Sequence, residues 1–128
     1  MSVEPRKFND LMALVVEDET IIAFLIEDML NDLCFRKVVQ ASSIPQAIAA
    51  LEKGCPDIAI LDVNLAGVPA YPVAERLQAA GIPFIFASGY GTAGIAAPWS
   101  GNLVLQKPFQ ADKLAEAIGA CLRAAKRE

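Results

Sequence analysis

The chain has 128 residues, 55% hydrophobic and 20% charged, with 11 basic against 15 acidic residues for a net charge of −4. These figures suit one domain with a real hydrophobic core and exclude a disordered chain. The acidic balance argues against a nucleic-acid binder held by phosphate contacts, and the absence of histidine removes Ser-His-Asp and Cys-His nucleophile systems and every His-ligated metal site.

Residues 1–10 form a polar lead-in without the apolar stretch of a signal peptide, and residues 11–128 are expected to form a single domain. Five short apolar runs follow, at 12–16, 37–41, 58–61, 83–87 and 103–106, each of strand length and rich in β-branched or aromatic residues. The first, third and fourth are continuous rather than alternating, as expected of strands covered on both faces.

Helical patterns lie between them. Residues 21–33 repeat apolar side chains at Ile22, Leu25/Ile26, Met29/Leu30 and Leu33. Even this richest segment carries Glu27, Asp28, Asn31 and Asp32, so it is no membrane span. Ser43 caps a second helix with Pro45 in its first turn and Ala47, Ile48 and Leu51 inward, stopped by Gly54 and Pro56. A third starts at Tyr71 or Pro72, buries Val73, Ala74 and Leu77, and ends at Gly81 and Pro83. The last spans 111–126, with Leu114, Ile118, Cys121 and Leu122 on one stripe. Strand and helix alternate, which predicts an α/β fold: a doubly wound, five-stranded parallel (βα)5 sheet of the flavodoxin-like type. The stretch from Gly89 to Gly94, followed by Pro98, is too rich in glycine for a confident fourth helix. It reads as a long loop with at most a short helix around 95–97, so the fourth helix is weakened or absent. The three cysteines, Cys34, Cys55 and Cys121, are widely spaced and lack a Cys-x-x-Cys pair. They read as small apolar residues near helix ends in a reducing compartment, and the expected location is the cytoplasm.

Ligands of open α/β sheets sit beyond the carboxyl ends of the strands. The polar residues at those ends are Glu17-Asp18-Glu19, Asp62, Ser88-Gly89 and Lys107-Pro108. Carboxylates gathered on one edge repel and call for a cation. Mg²⁺ suits them, taking oxygen ligands from Glu17, Asp18, Asp62 and the backbone carbonyl of Asn64. A carboxylate is a competent nucleophile for phosphoryl groups, with Ser88 and Lys107 placed to hold the phosphoryl oxygens. Gly89 leaves the approach to Asp62 open.

The segments Val15-Val16-Glu17-Asp18-Glu19, Leu61-Asp62-Val63-Asn64-Leu65, Ala87-Ser88-Gly89-Tyr90 and Lys107-Pro108-Phe109 resemble the signatures of response-regulator receiver domains (CheY-like), over nearly the whole chain. Pro83-Phe84-Ile85-Phe86-Ala87-Ser88-Gly89-Tyr90-Gly91 is similar to the receiver subgroup named for its Phe-Ala-Thr-Gly-Tyr motif, as are 62–67 and 71–74. The resemblance implies Asp62 as the phosphoacceptor. It implies Glu17, Asp18, Asp62 and the Asn64 carbonyl as Mg²⁺ ligands, Ser88 and Lys107 as phosphoryl-binding residues, and a cis Lys107–Pro108 bond. The implied partner is a histidine kinase or phosphotransfer protein, since the donor histidine cannot come from this chain. The expected role is that of a stand-alone two-component regulator, monomer or weak homodimer, serving as an interaction switch, relay or phosphate sink without nucleic acid or membrane. Receivers usually carry an aromatic switch residue three positions before the lysine, where this chain has Val104. Gly89, Tyr90 and Trp99 are therefore the switch or loop candidates. Two competing readings are a small Mg²⁺-dependent aspartyl-phosphate hydrolase and a constitutive pseudo-receiver. The hydrolase is disfavoured because Asp62 is followed by Val63-Asn64 and not by a second acid two residues on. The pseudo-receiver is disfavoured by the complete acidic set.

Overall fold

The computed structural model describes residues 8–89, 95–96 and 99–126. A five-stranded parallel sheet runs in the order β2-β1-β3-β6-β7, built from β1 (Met12–Val16), β2 (Lys37–Ala41), β3 (Ile58–Asp62), β6 (Phe84–Ser88) and β7 (Val104–Gln106). Between β3 and β6 a small antiparallel pair, β4 (Asn64–Leu65) and β5 (Val68–Pro69), forms a hairpin of its own. Four α-helices are described: α1 (Thr20–Asp32), α2 (Ile44–Lys53), α3 (Tyr71–Ala79) and α4 (Ala111–Lys126).

Side chains alternate across the strands, and two cores follow. On one face Ala13 and Val15 of β1, Ile58 and Ile60 of β3, and Ile85 and Ala87 of β6 meet Ile26 and Leu30 of α1 and Leu114 and Ile118 of α4. On the other, Leu14, Val16, Ala59, Leu61, Phe84 and Phe86 meet Ala47 of α2 and Val73, Ala74 and Leu77 of α3. Every residue of β3 and β6 is buried, which explains why those runs are continuously apolar. The chain leaves β1 toward β2 on one side and returns to β3 on the other, so the reversal of strand order opens a crevice at the carboxyl ends of β1 and β3.

The expected elements match to within a residue or two at their ends. The Ser43 hydroxyl accepts the Gln46 N–H at 3.2 Å and caps α2, with Pro45 in the first turn. Between β6 and β7 the only described helical turn is a 3₁₀ turn at Trp99–Gly101, in keeping with a weakened fourth helix. Ile95 and Ala96 are not helical, and Ala97 lies outside the described residues.

Several details differ from the sequence reading. Phe8, inside the stretch read as a polar lead-in, is buried and stacks on Phe35 at 5.2 Å, so the core begins before residue 11. In α1 the buried stripe is Ala23, Ile26 and Leu30, while Leu25 is 52% exposed beside Ile21 and Phe24. Periodicity alone does not separate Leu25 from its neighbour Ile26, and the rotation of the helix on the sheet chooses Ile26. Cys34 and Cys55 are exposed rather than apolar filler, and only Cys121 is buried. The β4–β5 hairpin was not foreseen. Its two-residue loop, Ala66-Gly67, has φ of 53° and 89°, the doubly positive pattern of a type I′ turn. Alanine is a weak signal for that turn, so nothing in the composition announced it.

Candidate functional site

The crevice is lined by the strand ends. Glu17 follows β1 directly, and its N–H donates to the Ala41 carbonyl at 3.0 Å, continuing the β1–β2 ladder one residue past the strand. Asp62 closes β3 in register with Ala87 of β6, which places Ser88 one residue beyond it. Ser88 pairs with Gln106 in β7, and its carbonyl accepts the Lys107 N–H at 2.8 Å. The parallel register thus delivers Glu17, Asp18, Asp62, Ser88 and Lys107 to one edge from four strands separated by up to 90 residues.

Glu17, Asp62 and Ser88 are the buried polar side chains among the described residues. Carboxylate oxygens of Glu17, Asp18 and Asp62 lie within 4.8 Å of one another. Lys107 bridges two of them, with its Nζ 2.8 Å from Glu17 Oε1 and 3.1 Å from Asp62 Oδ2. The remaining oxygens meet backbone donors: the Glu19 N–H reaches Glu17 Oε2 at 3.2 Å, and the Asn64 N–H reaches Asp62 Oδ1 at 3.3 Å. Asn64 turns its own side chain away, its Oδ1 accepting the Gly67 N–H at 2.6 Å inside the hairpin loop.

Burial raises the pKa of Glu17, the Lys107 hydrogen bond pulls it down, and the neighbouring Asp62 charge pushes it up again, leaving it above the ordinary glutamate value. Burial also works against the charged form of Lys107. The Glu17 hydrogen bond and the charges of Asp62 and Glu17 outweigh it and raise the lysine pKa. The lysine is therefore the internal counter-cation of the cluster, a contact that the sequence reading, which gave it only a phosphoryl partner, did not anticipate.

The donor set fits a hard divalent cation. Around Mg²⁺, oxygens at about 2.1 Å stand about 3 Å apart when adjacent and about 4.2 Å apart when opposite. Three carboxylate oxygens already within 4.8 Å need only a small closure to meet those spacings.

The loop candidates divide. Among the described residues, a side chain at Gly89 would meet nothing within 4 Å. Tyr90 lies outside the described residues. Trp99 is buried, its ring 6.0 Å from Phe84, 6.2 Å from Phe86 and stacked on Tyr71 at 6.2 Å. Tyr71, read from sequence only as a helix start, thus belongs to the same aromatic group. A groove of about 260 Å³ opens on the lysine side, lined by Ile22, Leu25, Ile26 and Met29 of α1 and by Lys107, Pro108 and Phe109. The Lys107–Pro108 bond is cis.

With this arrangement in view, the response regulator receiver domain profile matches residues 13–119. The chain belongs to the response regulator receiver family. Among solved structures, this receiver is similar to SdrG from Sphingomonas melonis Fr1, with 42% identity and a TM-score of 0.79 over 89% of this chain and 98% of that one. The BeF3-activated conformation of SdrG, from Pseudomonas melonis Fr1, is 43% identical with a TM-score of 0.76 over 87% and 95% of the two chains. The receiver domain of the Erythrobacter litoralis PhyR response regulator, at 24% identity and a TM-score of 0.80 over 91% and 93%, shares the fold. No curated protein matches the sequence. No helix among the described residues of this receiver is long and apolar enough to cross a membrane.

Proposed function

We propose that this receiver accepts a phosphoryl group on Asp62 in a Mg²⁺-dependent reaction and so acts as a phosphorylation-controlled protein-interaction switch, or passes or drains phosphate within a relay. One observation carries the reading: Asp62 Oδ2 stands 3.1 Å from the Lys107 ammonium, in a carboxylate cluster drawn from two strand ends. Asp62 Oδ2 attacks phosphorus as the P–N bond of a partner's phosphohistidine breaks, and the imidazole leaves and takes up a proton. Lys107 leaves Glu17 and turns to the incoming phosphoryl oxygens, while the Ser88 hydroxyl donates to another. Glu17, Asp18, Asp62 and the Asn64 carbonyl would hold Mg²⁺, which would offset negative charge on the phosphoryl group. The Asn64 side-chain oxygen is engaged in the hairpin loop, in keeping with the main-chain carbonyl as the donor.

The donor histidine belongs to a kinase or phosphotransfer partner, because this chain has none. Ile21, Phe24 and Leu25 present an exposed apolar face on α1, the helix that also lines the groove at Lys107, and that face suits such a partner. The Phe84-Ile85-Phe86-Ala87-Ser88-Gly89 stretch and the valine at 104 support a place in the Phe-Ala-Thr-Gly-Tyr subgroup.

The test is incubation with Mg²⁺ and acetyl phosphate followed by intact-mass measurement. One phosphoryl adduct is expected, labile to hydroxylamine, and absent in Asp62→Asn or with EDTA. A wild-type protein that gains no adduct from acetyl phosphate or from a cognate kinase refutes the reading.

A further inference from the structure

We infer that the outer edge of β2, with the groove beside it, takes an extended acidic segment of a partner protein as a sixth strand of the sheet. The groove opens where β1 and β2 begin, lined by Met12 and Lys37, whereas Asp62 closes β3 at the other end of the sheet. This surface is therefore separate from the phosphoacceptor crevice.

Among the described residues the sheet ends at β2. The ladder to β1 fixes which of its main-chain groups face outward. Successive residues of a strand turn their N–H and C=O to opposite sides. The Ala41 carbonyl accepts the Glu17 N–H at 3.0 Å, and the register runs from Met12 against Lys37 to Val16 against Ala41. Lys37, Val39 and Ala41 therefore face β1, and Val38 and Gln40 turn their N–H and C=O groups away from the sheet. The Gln40 side chain is held over α1, where it donates to the Ala23 carbonyl and the Glu27 carboxylate, so it does not satisfy these groups.

A groove of about 430 Å³ runs beside this edge. Val39 and Ala50 line it as half-buried apolar residues, and Lys37 of β2 and Lys53 at the end of α2 line it exposed. No carboxylate among the described residues lines it. Neither lysine forms an ion pair among the described residues, and Glu52, the acidic residue of α2, meets Arg76 of α3 at 3.8 Å instead. Two cations thus converge from separate elements, without a counter-charge, on a chain of net charge −4. A lysine on an edge strand guards it against pairing with another copy. A second β2 would bring a second Lys37 and no carboxylate. An acidic strand meets the opposite case: its main chain pairs with Val38 and Gln40, and its alternate side chains present carboxylates to the side on which Lys37 and Lys53 stand.

The experiment is an NMR titration, with amide exchange, using the peptide acetyl-Glu-Val-Glu-Val-Glu-amide on the wild type and on the double variant Lys37→Gln, Lys53→Gln. Both lysines are exposed, and glutamine keeps the fold while removing the charge. At about nine-tenths occupancy, exchange at Val38 and Gln40 is expected to slow about tenfold, while Val39 and Ala41, already bonded to β1, do not change. The double variant is expected to bind about fivefold more weakly, the loss of two exposed ion pairs, and a Lys-Val-Lys-Val-Lys peptide is expected not to bind. Shifts at the lysines without slowing at Val38 and Gln40 would mean an ionic contact only and would overturn the added strand. Equal binding of both peptides, or of the acidic peptide by both proteins, would refute the acidic partner. Slowing that grows with protein concentration and needs no peptide would give the edge to a second copy. A titration that moves no resonance of β2 or α2 removes the site.

Discussion

Replacing Lys107 by methionine keeps the stem and removes the charge that neutralises the cluster. Glu17 and Asp62 are then left buried, at 3% and 7% exposure, with Asp18 close by and no cation. At an effective dielectric of about 20, each of the two contacts, 2.8 and 3.1 Å long, carries roughly 5–6 kcal/mol of gross attraction. Most of that offsets the desolvation of the three charges. Breaking a buried pair from one side costs about 3–5 kcal/mol. Lys107 keeps 16% of its side chain in water, and Glu17 can take up a proton, its pKa being already raised by burial. Both reduce the net loss to the bottom of that range or just under it, about 2–3 kcal/mol, or roughly 10 °C of melting temperature for a chain of this length.

The assay is urea and thermal unfolding in EDTA, followed by the fluorescence of Trp99, the single tryptophan. Added Mg²⁺ is expected to restore more stability to Lys107→Met than to the wild type, because in the wild type the ion must first displace the lysine from Glu17 and Asp62. A variant within about 2 °C of the wild type in EDTA would contradict the reasoning, since buried carboxylates that lose their cation cannot be indifferent to it. An equal Mg²⁺ response in both proteins would show that lysine and metal do not compete.

Two further outcomes follow from the structure. Thiol titration of the native protein at pH 8 should find Cys34 and Cys55 reactive and Cys121 only after unfolding, because burial pushes the Cys121 thiol up to about 11. The folded chain thus keeps a proton that the unfolded chain releases near the ordinary thiol value of 9.0, so this thiol takes stability away as pH rises from there toward 11. Cys121→Val should remove that part of the slope, and three native-reactive thiols would refute the packing around α4. At the hairpin loop, Gly67→Ala forces a φ of 89° on a residue with a Cβ and should cost about 1 kcal/mol in urea unfolding, although open space surrounds the position. Ala66→Gly, relieving a φ of 53°, should move stability the other way by about 0.5–1 kcal/mol. No difference between these two variants would mean the turn is not formed in solution.

The sequence by itself determined the order of elements, the double burial of β3 and β6, and which polar residues crown the strands. Those properties are local. A continuous apolar run demands cover on both faces, a capping serine and a proline mark where a helix starts, and a carboxylate following a strand stands at its end wherever the strand goes. Asp62 and Lys107 were legible for that reason, as was the weakness of a fourth helix among so many glycines. The tertiary structure alone decided what those residues touch. Lys107 on Glu17 spans 90 residues and exists only through the strand order β2-β1-β3-β6-β7 and its register. The same holds for Tyr71 stacked on Trp99, for the burial of Trp99 and Phe8, and for the choice of Ile26 over Leu25. Each depends on how one element is rotated or aligned against another, a relation that no run of neighbouring residues encodes.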